Sequence, residues 1–264
     1  FSDKMLKMYL KRHVGKLFKG KDVYSFSKAS KGIGFSKHSG SDIQNAEKLL
    51  KRSQRPVMLI GSQAMLNAKM ADGLAKAIDE IGVPVYLSGM ARGLLGTHHD
   101  LQLRHKRKEA LKDADLIILA GVPCDFRLDY GRHIRSSATY ISVNRSRKDL
   151  YKNKKPQKAI LSDPGSFLTD LAASFKAEKA VMDPWLEKLK QRDLEREADI
   201  SKRAEEQVNG INPIQLFRIL DALLDDNAIL VADGGDFVAT SAYTLNPKKP
   251  LSWLDPGVFG TLGV

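Results

Sequence analysis

From Arg55 onward, short uniformly apolar runs alternate with stretches whose apolar residues recur every three or four positions. That alternation predicts a parallel sheet buried on both faces by amphipathic helices. The predicted strands are Val57–Ile60, Val83–Leu87, Leu116–Ala120 and Thr139–Val143, with Ala159–Leu161 as a further one. Pro84 falls at a strand start, where a missing N–H is tolerated. Ala71, Leu74, Ala75 and Ile78 form the stripe of a covering helix that Gly82 ends. Phe167, Leu168, Leu171 and Phe175 mark another helix. Residues 55–177 therefore read as one doubly wound, parallel-sheet α/β domain.

The flanking segments have different patterns. Residues 1–54 open with a short helical stretch (Met5, Leu6, Tyr9, Leu10) and continue as a Lys-, Gly- and Ser-rich connecting arm. Behind Ser41 and Asp42, Ile43, Ala46, Leu49 and Leu50 share one face of a leading helix. Residues 178–211 are highly charged, with Ile200, Ala204 and Val208 as a thin apolar stripe, and predict a long, largely exposed linking helix. Residues 212–264 start a second α/β domain. Asn212 caps a helix with Pro213 in its first position, and Leu216, Phe217, Leu220, Leu223 and Leu224 make its expected buried face. Ala228–Ala232 is then a strand, Asp233 to Asp236 a turn, and Phe237–Tyr243 a helix. The chain starts at Phe1 without Met and stops in an apolar, Gly-rich run, so an internal piece of a longer protein is expected.

Composition narrows the possibilities. The 264 residues carry 42% apolar and 28% charged positions, ordinary for a globular protein, and no run approaches a membrane span of about 18 apolar residues. The net charge of +12 is concentrated in residues 1–55 and in the cluster Arg145, Arg147, Lys148, Lys152, Lys154, Lys155 and Lys158. Neither group is interleaved with the aromatics a single-strand binder stacks on, so nucleic acid is not expected as a partner. A solvated or membrane-facing surface and an anionic small ligand remain the readings. Cys124 is the sole cysteine, which excludes an intrachain disulfide, and it follows an apolar run where a buried thiol is expected. His98 and His99 are adjacent, without metal-ligand spacing, and read as a surface loop.

Candidate chemistry lies at the carboxyl ends of the strands, where open parallel sheets bind ligands. The first such loop, Gly61-Ser62-Gln63-Ala64, lacks the G-x-G-x-x-G spacing of dinucleotide binders. The second, Gly89 to Gly96, carries Arg92 among glycines and fits either a plain loop or a phosphate or carboxylate contact. In the third, Asp125 and Arg127 either brace the loop or turn the guanidinium to a ligand. Asn144 stands where many nucleotide-binding domains place a ribose-binding acid, and Arg145 beside it suits a phosphorylated nucleotide. The turn at Gly234-Gly235, between a strand and a helix, places backbone N–H groups where they can hold a diphosphate.

These motifs occur together in a recognisable order. ADGGDF at 232–237, paired with LDPGVFGTLGV at 254–264, resembles the opening of the cofactor domain of thiamine-diphosphate enzymes in the acetolactate synthase / 2-hydroxyacyl-CoA lyase superfamily. ARGLLG at 91–96, LIILAGVPCDFRLDYGR at 116–132 and ISVNRS at 141–146 resemble that family's Rossmann-like middle domain. The resemblance runs from about Met5 to Val264. It implies diphosphate contacts at Gly235, Asp236 and Phe237, although the acetolactate synthases have Gln-His where Asp236-Phe237 stands here. It also implies that the Gly260 backbone receives the aminopyrimidine ring, that Leu262 is the wedge that keeps the cofactor bent, and that Thr261 and Gly263 belong to the same cofactor site. The magnesium ligands and the activating glutamate are implied to lie outside this chain, so no catalytic or metal-binding residue is expected within it.

The activity implied is a carbon–carbon lyase that converts 2-hydroxyacyl-CoA to formyl-CoA and a shortened aldehyde, as in fatty acid α-oxidation. Arg92, Arg127, Asn144 and Arg145 are the candidates for the anionic CoA tail. Thiamine diphosphate and Mg2+ are the implied cofactors, and a homodimer or homotetramer the implied assembly. An endoplasmic reticulum location is implied, with membrane association through an N-terminal anchor not found in these residues. Acetolactate-type carboligation of 2-keto acids and a silent regulatory or scaffold subunit are the alternatives. The fragment alone is expected to be inactive.

Overall fold

The structure, a computed structural model, describes residues 3–17, 36–255 and 257. Residues 1–34 and 35–264 form separate units. Among the described residues the first contributes one helix, α1 (Asp3–Leu17).

The second unit begins with α2 (Gly40–Leu50), two residues earlier than Ser41-Asp42 suggested. Ser39 is the cap: its hydroxyl accepts from the Asp42 N–H while the Asp42 carboxylate accepts from the Ser39 N–H, a capping box. A parallel sheet of six strands follows. In chain order these are β1 (Pro56–Ile60), β2 (Val85–Leu87), β3 (Gln102–Leu103), β4 (Leu116–Ala120), β5 (Thr139–Asn144) and β6 (Lys158–Leu161). Their spatial order is β3-β2-β1-β4-β5-β6, so the chain reverses its direction of travel between β1 and β4. That is the doubly wound, Rossmann-like order, with its ligand crevice expected at the switch point.

The strand side chains divide by parity, as a period of two requires. Met58, Ile60, Ile118, Ala120, Ile141 and Val143 point to a core shared with α2, α3 (Ala71–Ile81) and α6 (Pro164–Ala172), while α5 (Arg147–Leu150) is a single turn between β5 and β6. Val57, Leu59, Ile117, Leu119 and Tyr140 point to the opposite core, with Leu111 of α4 (Arg107–Asp113) and with Trp185 and Leu189 of α7 (Lys179–Ala204). The linking helix is thus not exposed along its length. Its first half is anchored by Met182, Trp185 and Leu189, and the Trp185 indole N–H donates to the Pro56 carbonyl at 3.0 Å. The helix ends at Ala204, so Val208, placed on its stripe by spacing, lies beyond it and is exposed.

Asp115 secures the entry to the central strands. Its carboxylate accepts the Ser53 hydroxyl, the Gln54 N–H at 2.8 Å and the Arg55 N–H at 3.0 Å. Burial alone would raise its pKa, but these donors outweigh burial and hold it below the ordinary 3.8. A depressed folded-state value contributes stability above the unfolded pKa and loses it as pH falls through the folded one. Asp115→Asn is expected to cost about 1–3 kcal/mol at neutral pH. Urea unfolding should show the gap between variant and parent narrowing below the ordinary carboxylate value; a gap independent of pH would contradict this.

After α7, residues 212–255 build a smaller α/β element: α8 (Pro213–Leu223), β7 (Leu230–Val231), α9 (Asp236–Thr244) and β8 (Trp253–Leu254), with β7 and β8 parallel. Asn212 caps α8, its side chain accepting from the N–H groups of Ile214 and Gln215. The expected buried face needs correction. Phe217 and Ile214 are buried, whereas Leu216, Leu220 and Leu223 are exposed. Among the described residues the end of α7, α9 and a two-stranded sheet stand near α8, too little structure to cover all of its apolar surface.

Candidate functional site

Three features cluster at the carboxyl ends of the strands. The first is the turn that resembles a diphosphate cradle. β7 ends at Val231, the Gly234 N–H donates to its neighbour Asp233 at 2.8 Å, and Gly235 at φ +80° starts α9. Gly235 provides no side-chain cap, and among the described residues no atom lies within 4 Å of where its Cβ would stand. The first-turn N–H groups of α9 have no intrahelical acceptor and point to where an anion can be held. Asp236 is in that first turn, and Phe237 is exposed with its edge toward the Phe217 ring at 6.1 Å. These residues fit a diphosphate through backbone contacts. Gly260, Thr261, Leu262 and Gly263 lie outside the described residues.

The second feature is the switch-point crevice, about 340 Å3, lined by Gly61, Ser62, Gln63, Gly121, Asp125 and Arg127 among others. Gly61 has no room for a side chain: a Cβ there would come within 2.5 Å of Val122 and 2.8 Å of the Gly121 carbonyl. Arg127 is not free to reach a ligand with its whole fork. Its Nε and a terminal nitrogen donate to Asp125 at 3.1 and 2.7 Å, which braces the loop. Asn144 is buried at the end of β5, its Oδ1 accepting from the Ser146 N–H at 2.9 Å while its amide nitrogen finds no partner among the described residues. The Arg145 N–H donates to Gln63 at 3.0 Å, tying this loop to the first one.

The third feature was not anticipated as a unit. A cleft of about 360 Å3 is lined by Arg92, Arg104, Lys106, Arg107, Lys108 and Arg196, and none of its described lining residues is Asp or Glu. His105, His133 and, at the exit of α9, Tyr243, Leu245, Asn246 and Pro247 are also among its lining residues. The guanidinium of Arg92 donates to the Ala242 carbonyl at 2.7 Å and lies 5.5 Å from the centre of the Trp253 ring. Arg104 donates to the carbonyls of Tyr243 at 3.1 Å and Leu245 at 2.9 Å, and Arg107 to that of Arg127 at 3.0 Å. Neutral carbonyls satisfy geometry without cancelling charge. Burial pushes the Arg92 pKa down to about 10, with Arg107 and Arg104 adding to the effect against the opposing Asp255. Burial also lowers Arg104 and Arg107.

The structure therefore places Arg92 in the basic cleft, Arg127 in the switch-point crevice, and Asn144 and Arg145 at the end of β5. Sequence reasoning missed Arg104, Arg107 and Arg196. The available signal was the unbroken run Arg104-His105-Lys106-Arg107-Lys108, overlooked because it lacks glycines and follows no predicted strand. Among the described residues no group of three or more His, Cys, Asp or Glu side chains could hold a metal ion, and no helix is long and apolar enough to cross a membrane.

Residues 43–171 match the family model described as the thiamine pyrophosphate enzyme central domain. Sheet order and this match agree, and the chain carries the central domain of the thiamine pyrophosphate enzyme family. Within it, the chain is 41% identical over 269 residues to human 2-hydroxyacyl-CoA lyase 2, covering 99% of this chain and 42% of that protein. It is 42% identical over 267 residues to the Danio rerio protein of the same name, covering 99% of this chain and 42% of the relative. Identity to the acetolactate synthase large subunit IlvG of Mycobacterium tuberculosis is 30% over 230 residues, 85% of this chain and 40% of the relative. The chain thus spans less than half the length of these relatives.

Proposed function

We propose that the chain serves a thiamine-diphosphate-dependent lyase acting on 2-hydroxyacyl-CoA. The observation that carries this reading is the basic cleft. Several cations converge on a cavity that no described carboxylate lines, and a phosphate-bearing tail is the ligand such a cavity attracts. The relatives named 2-hydroxyacyl-CoA lyase 2 support the same substrate class.

In the proposed reaction the C1–C2 bond of the substrate breaks and the 2-hydroxyl gives up its proton. C2 leaves as the carbonyl carbon of an aldehyde one carbon shorter, C1 takes up a proton as formyl-CoA, and no net oxidation occurs. Thiamine diphosphate, when bound, supplies stabilisation of the carbanion that this cleavage requires. The part assigned to this chain is positional. Arg92, Arg104 and Arg107 hold the anionic tail, and the Gly234-Gly235 turn with the first N–H groups of α9 receives the diphosphate. Mg2+, a homodimeric or homotetrameric assembly and an endoplasmic reticulum membrane location belong to the same proposal.

Calorimetric titration with CoA tests the cleft, and product analysis of the full-length protein tests the reaction. CoA is expected to bind with an affinity that falls as salt rises. Arg107→Met should weaken it roughly 10- to 100-fold, the worth of one charged hydrogen bond at about 1.5–3 kcal/mol. Formyl-CoA and a shortened aldehyde are the expected products. The IlvG relative supports one other reading, acetolactate-type carboligation, which tight FAD binding and turnover of 2-keto acids would establish instead.

A further inference from the structure

The basic cleft and the diphosphate turn sit at opposite ends of one helix. α9 is nine residues long, so its ends are about 13 Å apart. Its first residue follows Gly235, and its last turn forms the cleft wall through Tyr243, Leu245 and Asn246. The carbonyls that close the helix are held from the cleft side: Ala242 by Arg92, Tyr243 and Leu245 by Arg104. At the same end, the Asn246 N–H and side chain donate to Asp221 of α8 at 2.7 and 2.6 Å. At the other end, no side chain of Gly235 caps the helix. α9 is therefore anchored at its cleft end and open at its turn end.

We propose that Arg92 and Arg104 are positioning residues that couple the two sites through α9, so that a phosphate-bearing ligand in the cleft orders the Gly234-Gly235 turn. This rests on the reading of the cleft as an anion site. A guanidinium carries five donors in a fixed fork. Arg104 spends one terminal nitrogen on two carbonyls, and Arg92 spends one on Ala242 while its buried Nε finds no partner among the described residues. Each can take a phosphate oxygen on its remaining donors without releasing the helix. A bound anion then fixes guanidinia that already grip α9, and a stiff helix transmits that restraint to its first turn. Linkage makes the effect reciprocal: a diphosphate at the turn tightens the cleft for its anion by the same factor.

Hydrogen exchange read by mass spectrometry, on the protein with and without CoA, tests this. CoA should slow exchange at residues 104–108 and also at the hydrogen-bonded amides 240–245, the latter by roughly fivefold or more, the lower range of site-to-site couplings. Arg104→Lys keeps the charge but cannot hold two carbonyls and a phosphate in one fork. In that variant CoA should still protect 104–108 and lose most of its effect on 240–245. Protection at 104–108 with unchanged exchange at 240–245 in the unaltered protein would overturn the coupling and leave the anion site standing. Equal protection of 240–245 in the Arg104→Lys protein would overturn the role of Arg104. No protection at either place would overturn the anion reading itself, and the coupling with it.

Discussion

Trp253→Ala is expected to unfold the smaller α/β element while the six-stranded domain stays folded. Trp253 is fully buried and packs with Phe217 and Leu245, with Leu224, Leu230, Ala232 and Ala242 partly buried around it. This cluster shares no buried residue with either core of the large sheet. Truncating a buried Trp costs about 3–5 kcal/mol, and so small a cluster has little else to offset the loss. Arg92 would also lose the ring it lies against, loosening the wall of the basic cleft. Limited proteolysis should cut first between about 205 and 255 and leave a resistant core, and denaturant unfolding should separate into two transitions. A single transition, shifted as a whole, would show instead that the two elements fold as one cooperative unit. Trp253→Phe should keep most of the stability and lose only the indole N–H bond to Asp255, 2.9 Å in the parent.

Where the sequence was sufficient, burial was uniform and elements were long. Val57–Ile60 and Leu116–Ala120 are apolar at every position because both faces of the sheet are covered, and their parallel pairing followed from that. Gly82 at φ +73° ends α3 where a left-handed cap was needed. β3, at two residues, is too short to show a period, and the cations of α4 mask its buried Ala110 and Leu111. The face of α8 was misjudged for a related reason: spacing shows which residues share a face, not whether anything covers it. The basic cleft was the least legible of all. Arg92 reaches it from the loop after β2, Arg104 and Arg107 from beside β3 and α4, and Arg196 from α7. Only the fold brings these separate stretches together. Asp125 and Arg127 are the contrary case: two residues apart in sequence, they formed the loop brace that local chemistry allowed.

Gly93→Ala is expected to destabilise the protein and weaken ligand binding in the basic cleft together. Gly93 has φ +81°, in the left-handed region that costs an alanine about 1–2 kcal/mol. A Cβ there would stand 2.4 Å from the Lys249 carbonyl and 3.0 Å from both Pro247 and Ser252. The Lys249 carbonyl cannot swing aside cheaply, because it accepts the Ser252 hydroxyl at 2.6 Å beside the buried Trp253. Overpacking of this kind adds about 1–3 kcal/mol, for a total of roughly 2–5 kcal/mol. The strain falls where the Gly-rich loop meets the segment leaving α9, and Gly93 and Pro247 both line the cleft. CoA affinity should therefore drop even at temperatures where the variant is fully folded. Gly73→Ala is the control: Gly73 lies in α3, away from the cleft, with nothing within 4 Å of its Cβ position. It should gain about 0.5–1 kcal/mol from the higher helix propensity of alanine and bind CoA as the parent does. Thermal melts and titration of both variants separate the effects. A folded Gly93→Ala protein with parental CoA affinity would show that the loop can yield without disturbing Arg92 and Arg104.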